Sequence, residues 1–262
     1  MSNTLILCLW HEETRPSLNV DLEQGLYFCH GCGAKGTLSQ HPELISLAQR
    51  ARGERSPIFS LSIPYIPTLA GLPKEYLLNR GFTEEILAQF EVGGDQDRVW
   101  IPVKLRDDSL VGIIFRFIIG EDRYRYSYGF HKRNYLFGSK QFVGSDDVVY
   151  IVEGALDCIR MHQLEVKNTI ALLGDQPSAG QLDLIKSLGH RVILALDNDD
   201  PGWRAILNVG RLLQHRGHIV QVLSYDGKDP GEVQSTSSFE ILPFLKILLA
   251  LQTTNAGIEI SV

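Results

Sequence analysis

No stretch of this 262-residue chain is apolar for long enough to cross a membrane; the longest such run, near residues 244–251, is short and carries Lys246. The N-terminal MSNTLILCLWHEE lacks the basic start and long apolar segment of a secretory leader. A cytoplasmic protein with no membrane partner is therefore expected. There is no internal repeat and no low-complexity tract, which argues against a solenoid or a disordered scaffold. Only four cysteines occur, and in an intracellular chain they point to metal or chemistry before disulfides. An excess of positive charge is also missing: the net charge of −6 speaks at first sight against a nucleic-acid partner.

That charge is unevenly spread. Residues 98–140 carry nine Lys/Arg against four Asp/Glu, whereas residues 145–232 carry eight against thirteen. A basic middle beside an acidic, cation-hungry segment suits a polyanion held by one part and worked on by the other.

The acidic segment opens with Val148-Val-Tyr-Ile-Val152, a β-branched run that reads as a buried strand. It stops at Glu153-Gly154. A helical pattern follows, with Asp157 at its start and Leu156 and Ile159 inward. A second such strand, RVILAL at 191–196, ends in Asp197-Asn-Asp199-Asp-Pro-Gly202. Carboxylates at the C-terminal ends of parallel strands stand where α/β folds bind ligands. Brought together there, Glu153, Asp197 and Asp199 would raise one another's pKa unless a cation lay between them. Mg²⁺ is the simplest cation, because it takes hard oxygen ligands and keeps waters for phosphates. Strands at 148–152, 169–173, 191–196 and 218–223 alternate with helices at 157–164, 179–188 and 202–216, which calls for a mostly parallel sheet. Asp226-Gly-Lys-Asp229-Pro adds another acid to the same edge. Residues 239–251 read as an apolar helix packed on its own domain, and the last eleven residues as a frayed tail.

At the other end, Cys8-Leu-Trp-His11 and Cys29-His-Gly-Cys32 are two ligand pairs at the spacing tetrahedral zinc demands. Between them, 17–22 and 26–28 form a hairpin that turns at 23–25 and delivers the second pair. Gly31 and Gly33 let the backbone curl around a thiolate knuckle. Cys8, His11, Cys29 and Cys32 thus define a zinc ribbon too small to bury a core alone, so the metal would supply the folding energy. His30 is a weaker alternative ligand. Next come a short helix at 42–50 and Pro57, Pro64 and Pro67, a density that favours a semi-rigid linker. Residues 73–78 form a helix closed by Gly81, and Thr83 caps a second one at 84–90. Strands follow at 98–103, 110–117 and 122–128. In the last, Arg123 and Arg125 alternate with Tyr124, Tyr126 and Tyr128, so the two types take opposite faces. The first expectation is an aromatic core face and a solvated basic face. The alternative is a groove in which Arg116, Arg125 and Lys132 meet phosphates.

Glu153-Gly154 after one strand and Asp197-x-Asp199-x-x-Gly202 after another resemble the acidic motifs of the TOPRIM domain. Bacterial-type primases, topoisomerases, RecR-like repair proteins and some nucleases share that domain. The N-terminal C-x2-H-x17-C-x2-C is similar to the zinc-binding domain of DnaG-type primases. YLLNRGF at 76–82, RVWIPV at 98–103, GIIFR at 112–116 and FHKRNYLFG at 130–138 resemble the primase subdomain that precedes TOPRIM. Asp226-Gly-Lys-Asp229-Pro is similar to the family's last acidic motif. The likeness covers about residues 5–235 in the right order. Ala155 replaces a frequent aromatic, Gly231 a frequent second acid, and the segment around 123–129 is shorter than usual.

The resemblance implies an α/β multidomain protein: a zinc ribbon at 1–40, a Pro-rich linker at 41–70, and a mixed α+β basic subdomain at 71–144. A Rossmann-like, parallel-sheet TOPRIM domain follows at 145–235, then a C-terminal helix and tail at 236–262. It implies a DNA primase, a nucleotidyltransferase that makes short RNA primers. Glu153, Asp197 and Asp199, helped by Asp157 and Asp229, would hold catalytic Mg²⁺ or Mn²⁺ on the triphosphate, with Glu153 as ligand or general base. Arg98, Arg116, Arg125 and Lys132 would track the template. One structural Zn²⁺ would organise the ribbon, which reads a start sequence with Trp10 or Tyr27 stacking on bases. The implied partners are single-stranded DNA, ribonucleoside triphosphates and a replicative helicase supplied as a separate chain. A compact stand-alone or phage-like enzyme is expected, because the chain stops where the family continues. The alternatives are a RecR-like recombination mediator, disfavoured by the basic middle and the lack of a helix-hairpin-helix motif, and a TOPRIM nuclease, which leaves the ribbon without a role.

Overall fold

The computed structural model describes residues 3–11, 13, 15–38, 40–41, 44, 47–48, 65, 67–120, 123–127, 129–144 and 147–253. The chain divides into two compact units, Met1–Ser60 and Leu61–Val262. Most of the expected helix at 42–50, Pro57 and Pro64 of the linker, Tyr128 and the tail from residue 254 lie outside the described residues.

The first unit is an antiparallel sheet of β1 (Asn3–Ile6), β2 (Leu18–Asp21), β3 (Leu26–Cys29) and β4 (Lys35–Thr37), in chain order. The register Leu18↔Cys29 and Val20↔Tyr27 sends these four side chains to one face, where they bury with Ile6 and Leu38. The hairpin turns where Asp21 Oδ1 accepts the backbone N–H of Glu23 and of Gln24, each at 3.0 Å. Gly25, at φ +68°, closes it. Leu44 and Ala48 are helical and bury in the same core, so the unit continues past residue 40.

The second unit begins with α1 (Gly71–Asn79) and α2 (Glu84–Gln89). Gly81 takes the left-handed conformation after α1 (φ +82°), and Thr83 Oγ1 caps α2 by accepting the Ile86 N–H at 3.3 Å. An antiparallel sheet follows: β5 (Gly93–Asp95), β6 (Arg98–Lys104), β7 (Leu110–Phe117) and β8 (Tyr124–Tyr126), again in chain order. The chain then alternates through β9 (Val148–Val152), α3 (Ala155–Gln163), β10 (Thr169–Ala171), α4 (Ala179–Leu188), β11 (Arg191–Leu194), α5 (Asp200–His215) and β12 (Ile219–Ser224). It ends with β13 (Glu240–Pro243) and α6 (Phe244–Thr253). Strand order is β10-β9-β11-β12-β13, with the first four parallel and β13 antiparallel at the edge.

Alternation along the parallel strands separates two cores. Val149, Ile151, Val192, Leu194, Val220 and Val222 pack with α4, α5 and α6 through Leu182, Ile185, Ile206, Val209 and Phe244. Val152, Ile193, Ala195 and Leu223 pack with α3 and with the antiparallel sheet through Ile159, Val99, Ile101 and Ile114. Each fully buried aliphatic side chain contributes about 1.5–3 kcal/mol relative to exposure.

The expected strands at 169–173 and 191–196 end two residues sooner, because the chain leaves the ladder to enter the loops that carry the acids. The helix expected over 239–251 begins only at Phe244. Residues 240–243 pair with β12 instead, Leu242 opposite Val222, and Pro243 stops the ladder. As expected, the helix packs on its own domain: the Phe244 ring lies against Gly210, where an added Cβ would meet it at 2.3 Å.

Candidate active site and metal centre

Strand order places the site. The chain leaves β9 toward β10 on one side and toward β11 on the other, so β9 and β11 flank a topological switch point. Open α/β sheets bind ligands at the C-terminal ends of such a pair. Glu153 ends β9 and Asp197 follows β11. Both line a cleft of about 530 Å³ with Asp157, Asp229, Glu232 and Lys228.

Each acid is positioned locally. Asp157 Oδ2 accepts the Gly154 N–H at 2.9 Å, which caps α3 and fixes the carboxylate beside the strand end. Asp229 precedes a single 3-10 turn, Pro230–Glu232. An added Cβ on Gly231 would stand 2.7 Å from Asp157 Oδ1 and 3.0 Å from Asp229 Oδ1, so a side chain there would crowd both carboxylates. Asp229 Oδ1 is buried without a hydrogen-bond partner. Burial, then the charge of Asp197, pushes Glu153 up to about 7. Burial and Asp229 raise Asp157 to about 7. Burial, Asp229 and Asp199 raise Asp197 to about 6, and Asp229 is itself raised, mainly by burial. Four acids that resist ionising, one with an orphaned oxygen, offer the hard oxygen donors that a divalent cation takes.

Asp199, also expected among the cation ligands, caps α5 through one of its oxygens, Oδ1, which accepts the Gly202 N–H at 2.9 Å. Its charge still helps to raise Asp197 and Glu153.

The cationic lining comes from the antiparallel sheet and the end of α1. The register Arg98↔Phe117, Trp100↔Phe115 and Phe115↔Arg125 puts Arg98, Trp100, Phe115, Phe117 and Arg125 on one face. Val99, Ile101, Ile114, Arg116, Tyr124 and Tyr126 take the other face, and Arg116, Tyr124 and Tyr126 line the acidic cleft with Arg80 and Arg123. The four expected cationic residues are therefore divided. Arg116 lines the cleft. Lys132 stands at its rim near Gly174, with Nζ 3.4 Å from Tyr126 Oη. Arg98 and Arg125 lie on the far face of the sheet. There Arg98 forms a two-point ion pair with Asp95, 3.1 Å from Nε and 2.7 Å from Nη2, and Arg125 stacks over Phe117. Tyr124 and Tyr126 do not form a core face as expected; both are substantially exposed, because their face looks onto the cleft.

Sequence reasoning missed Arg80. Arg80 Nη1 donates to Tyr76 Oη at 3.0 Å, and Arg116 donates to the same oxygen through Nη2 at 3.1 Å. Burial opposes ionisation of Tyr76, but the two guanidiniums outweigh it and lower its pKa. The only advance signal was Arg80 within the YLLNRGF motif.

In the ribbon, the ligand atoms of Cys8, His11, Cys29 and Cys32 all lie within 4.8 Å of one another. Among the described residues no other group of three or more His, Cys, Asp or Glu closes up this far, so the acids of the cleft are spaced more widely. Cys8 Sγ to Cys32 Sγ is 3.7 Å and Cys29 Sγ to His11 Nδ1 is 3.9 Å. Tetrahedral zinc at about 2.3 Å from sulfur needs ligand separations of about 3.8 Å, so the four residues fit one zinc. Burial opposes ionisation of Cys29, but hydrogen bonds from Ser17 and the Cys32 backbone prevail and lower the thiol to about 6. Glu13 was not anticipated. Its Oε2 lies 3.1 Å from His11 Nε2, while Oε1 accepts the Cys8 and Ser17 N–H groups at 2.7 and 3.1 Å. It therefore turns Nδ1 of His11 toward the thiolates. Gly31 has no room for a side chain, since a Cβ there would stand 2.5 Å from His11 Nε2. His30 points away and packs edge-on against Phe28. Tyr27 is buried beneath Trp10, and Leu26 and Phe28 are the exposed apolar side chains of the hairpin.

Both the ribbon and the parallel sheet with acidic strand ends find matches among known proteins. Residues 2–43 match the CHC2 zinc finger and residues 150–234 match a Toprim-like domain. The chain is 25% identical to the DNA primase of Deinococcus radiodurans over 86% of its own length and 52% of that protein's. To the DNA primase of Pseudomonas aeruginosa it is 25% identical over 85% of its length and 47% of that protein's. It spans about half the length of the curated relatives it matches. Its fold matches the zinc-binding and RNA polymerase domains of Aquifex aeolicus primase, with TM-score 0.58, 22% identity, 88% of this chain and 75% of that one covered. It also matches a DnaG primase catalytic domain bound to ssDNA, with TM-score 0.57, 20% identity, 72% of this chain and 77% of that one covered. Both units thus have the fold and the order of a DnaG-type primase. No helix among the described residues is long and apolar enough to cross a membrane.

Proposed function

We propose that this chain is a DNA primase that makes short RNA primers on single-stranded DNA in the cytoplasm. The observation that carries the reading is one cleft lined by Glu153, Asp157, Asp197 and Asp229 together with Arg80, Arg116 and Arg123. Acids that resist ionising need a cation, and arginines in the same cleft need an anion. A nucleoside triphosphate carrying its divalent ion satisfies both.

In this reading Glu153, Asp197, Asp157 and Asp229 hold Mg²⁺ or Mn²⁺. Bound there, the cation would neutralise charge at the α-phosphoryl group and on the departing pyrophosphate. Arg80, Arg116 and Arg123 grip the phosphates, and Tyr76 fixes the angle of the first two. Tyr124 and Tyr126 give the cleft an aromatic surface against which a base can lie. Asp199 supports the site through the α5 cap and through its charge. Lys132 at the rim, and Arg98 and Arg125 on the far face, would meet the template backbone, with an affinity that falls as salt rises. The zinc ribbon would present Trp10, Phe28 and Leu26, rather than Tyr27, to unstacked template bases. A replicative helicase is the protein partner this reading carries.

Single-stranded DNA, ribonucleoside triphosphates and Mg²⁺ with the purified chain should give short RNA. Asp197→Asn should abolish it. Phosphodiester cleavage without nucleotides, and no RNA product, would replace this reading with a nuclease.

A further inference from the structure

Arg160 lies on α3, three residues beyond Asp157, and is wholly buried. A buried guanidinium persists only where its donors are satisfied. Here the partners are backbone carbonyls. Nε donates to Gly231 at 3.1 Å, Nη1 to Gly81 at 2.8 Å and Nη2 to Arg80, while the Phe82 ring lies 4.3 Å from Cζ. These carbonyls belong to two segments far apart in sequence, Arg80-Gly81 and Gly231, and each segment adjoins the acidic cleft. Arg80 sends its own guanidinium into the cleft. Gly231 sits between the carboxylates of Asp157 and Asp229. Asp157 is on the helix that bears Arg160.

We propose that Arg160 is the positioning residue of the divalent-cation site, holding Asp157, Asp229 and Arg80 at their working separations by tying two distant backbone segments to the helix that bears Asp157. It touches neither cation nor substrate. The role rests on the reading that the acids bind a divalent cation. Lysine cannot replace it, since one ammonium cannot reach three carbonyls that the planar fork reaches together.

The test uses the zinc-loaded full chain and Mn²⁺ as the probe, with free Mn²⁺ read by electron paramagnetic resonance. Arg160→Met and Arg160→Lys should each bind Mn²⁺ about tenfold more weakly than the parent, with zinc content and circular dichroism unchanged. An arginine that merely stabilises the fold would lower the melting temperature and leave Mn²⁺ affinity at the parent value; that outcome overturns the proposal. If Arg160→Met does not fold, Arg160→Lys, which keeps charge and most of the volume, decides in the same way. Absence of Mn²⁺ binding in the parent would sink the cation-site reading itself, and this role with it, before any variant is compared.

Discussion

Gly202 presses the start of α5 so closely against Asp197 that a Cβ at position 202 would stand 1.9 Å from the Asp197 carbonyl oxygen. The obstacle is backbone, which cannot swing aside as a flexible side chain can. The same glycine donates the N–H that Asp199 accepts. The spacing from Asp197 to Gly202 therefore sets a helix against a strand end as well as supplying acids.

Gly202→Ala should for this reason be costly. The methyl group forces α5 away from Asp197 and stretches the Asp199 cap. Overpacking of this kind costs about 1–3 kcal/mol, and loss of a cap about 1 kcal/mol more. Urea unfolding should show a drop of that size, with primer synthesis falling alongside. Parent-like stability would mean that this contact is not held in solution.

Glu13 should matter to zinc without touching it. Carboxylates that orient a ligating histidine typically account for 10–100-fold in metal affinity. Glu13→Gln keeps the size but removes the charge facing His11 Nε2, so zinc should pass more readily to a competing chelator by a factor in that range. The cleft acids belong to the other compact unit, and divalent-cation binding there should be unaffected.

The two faces of the antiparallel sheet predict different phenotypes for arginines on neighbouring strands. Arg116 faces the cleft, and Arg116→Ala should lower kcat/KM at least tenfold, equivalent to about 1.4 kcal/mol of transition-state stabilisation. Arg98 faces the other way and is engaged by Asp95. Arg98→Ala should cost at most about 1 kcal/mol of stability and alter template affinity more than nucleotide KM. Equal losses in nucleotide KM from both variants would contradict the division seen in the register.

What could be read in advance follows from how local each cause is. The acidic strand ends, the zinc ligand pairs, the Thr83 cap and α4 depend on neighbours within a few residues, and they stand where the pattern put them. The short ladder of β13 was hidden because Leu242 gains its burial only against β12. The tyrosines of β8 follow the same alternation whether they face a core or a cleft, so their sequence could not say which. Asp199 fits an N-cap and a cation ligand equally well from spacing alone, since aspartate is also favoured just before a helix. Arg80 and Arg160 escaped notice because their partners lie in segments brought close only by the tertiary fold.

The acids of the cleft also make a prediction about pH. Glu153 and Asp157 titrate near 7 and Asp197 near 6 in the folded protein, and Asp229 is raised as well. Unfolded, all would titrate near 4. Between those values the folded state binds more protons than the unfolded one, so stability falls as pH rises. Zinc-loaded protein freed of other divalent ions should therefore lose stability from about pH 4 to 7 and level off above. Mg²⁺ should oppose the loss at pH 8 by binding the ionised acids. Asp229→Asn removes a charge from beside Asp157 and Asp197, so it should flatten the pH slope and raise stability at pH 8 without Mg²⁺. The same substitution should forfeit the stabilisation Mg²⁺ gives and most of the primer synthesis. Such an exchange of stability against activity is expected where like charges are held together for a ligand. Urea titrations at pH 5 and 8, with and without Mg²⁺, provide the check. A parent protein equally stable at both pH values without Mg²⁺ would mean that the four carboxylates are not crowded as the cleft requires.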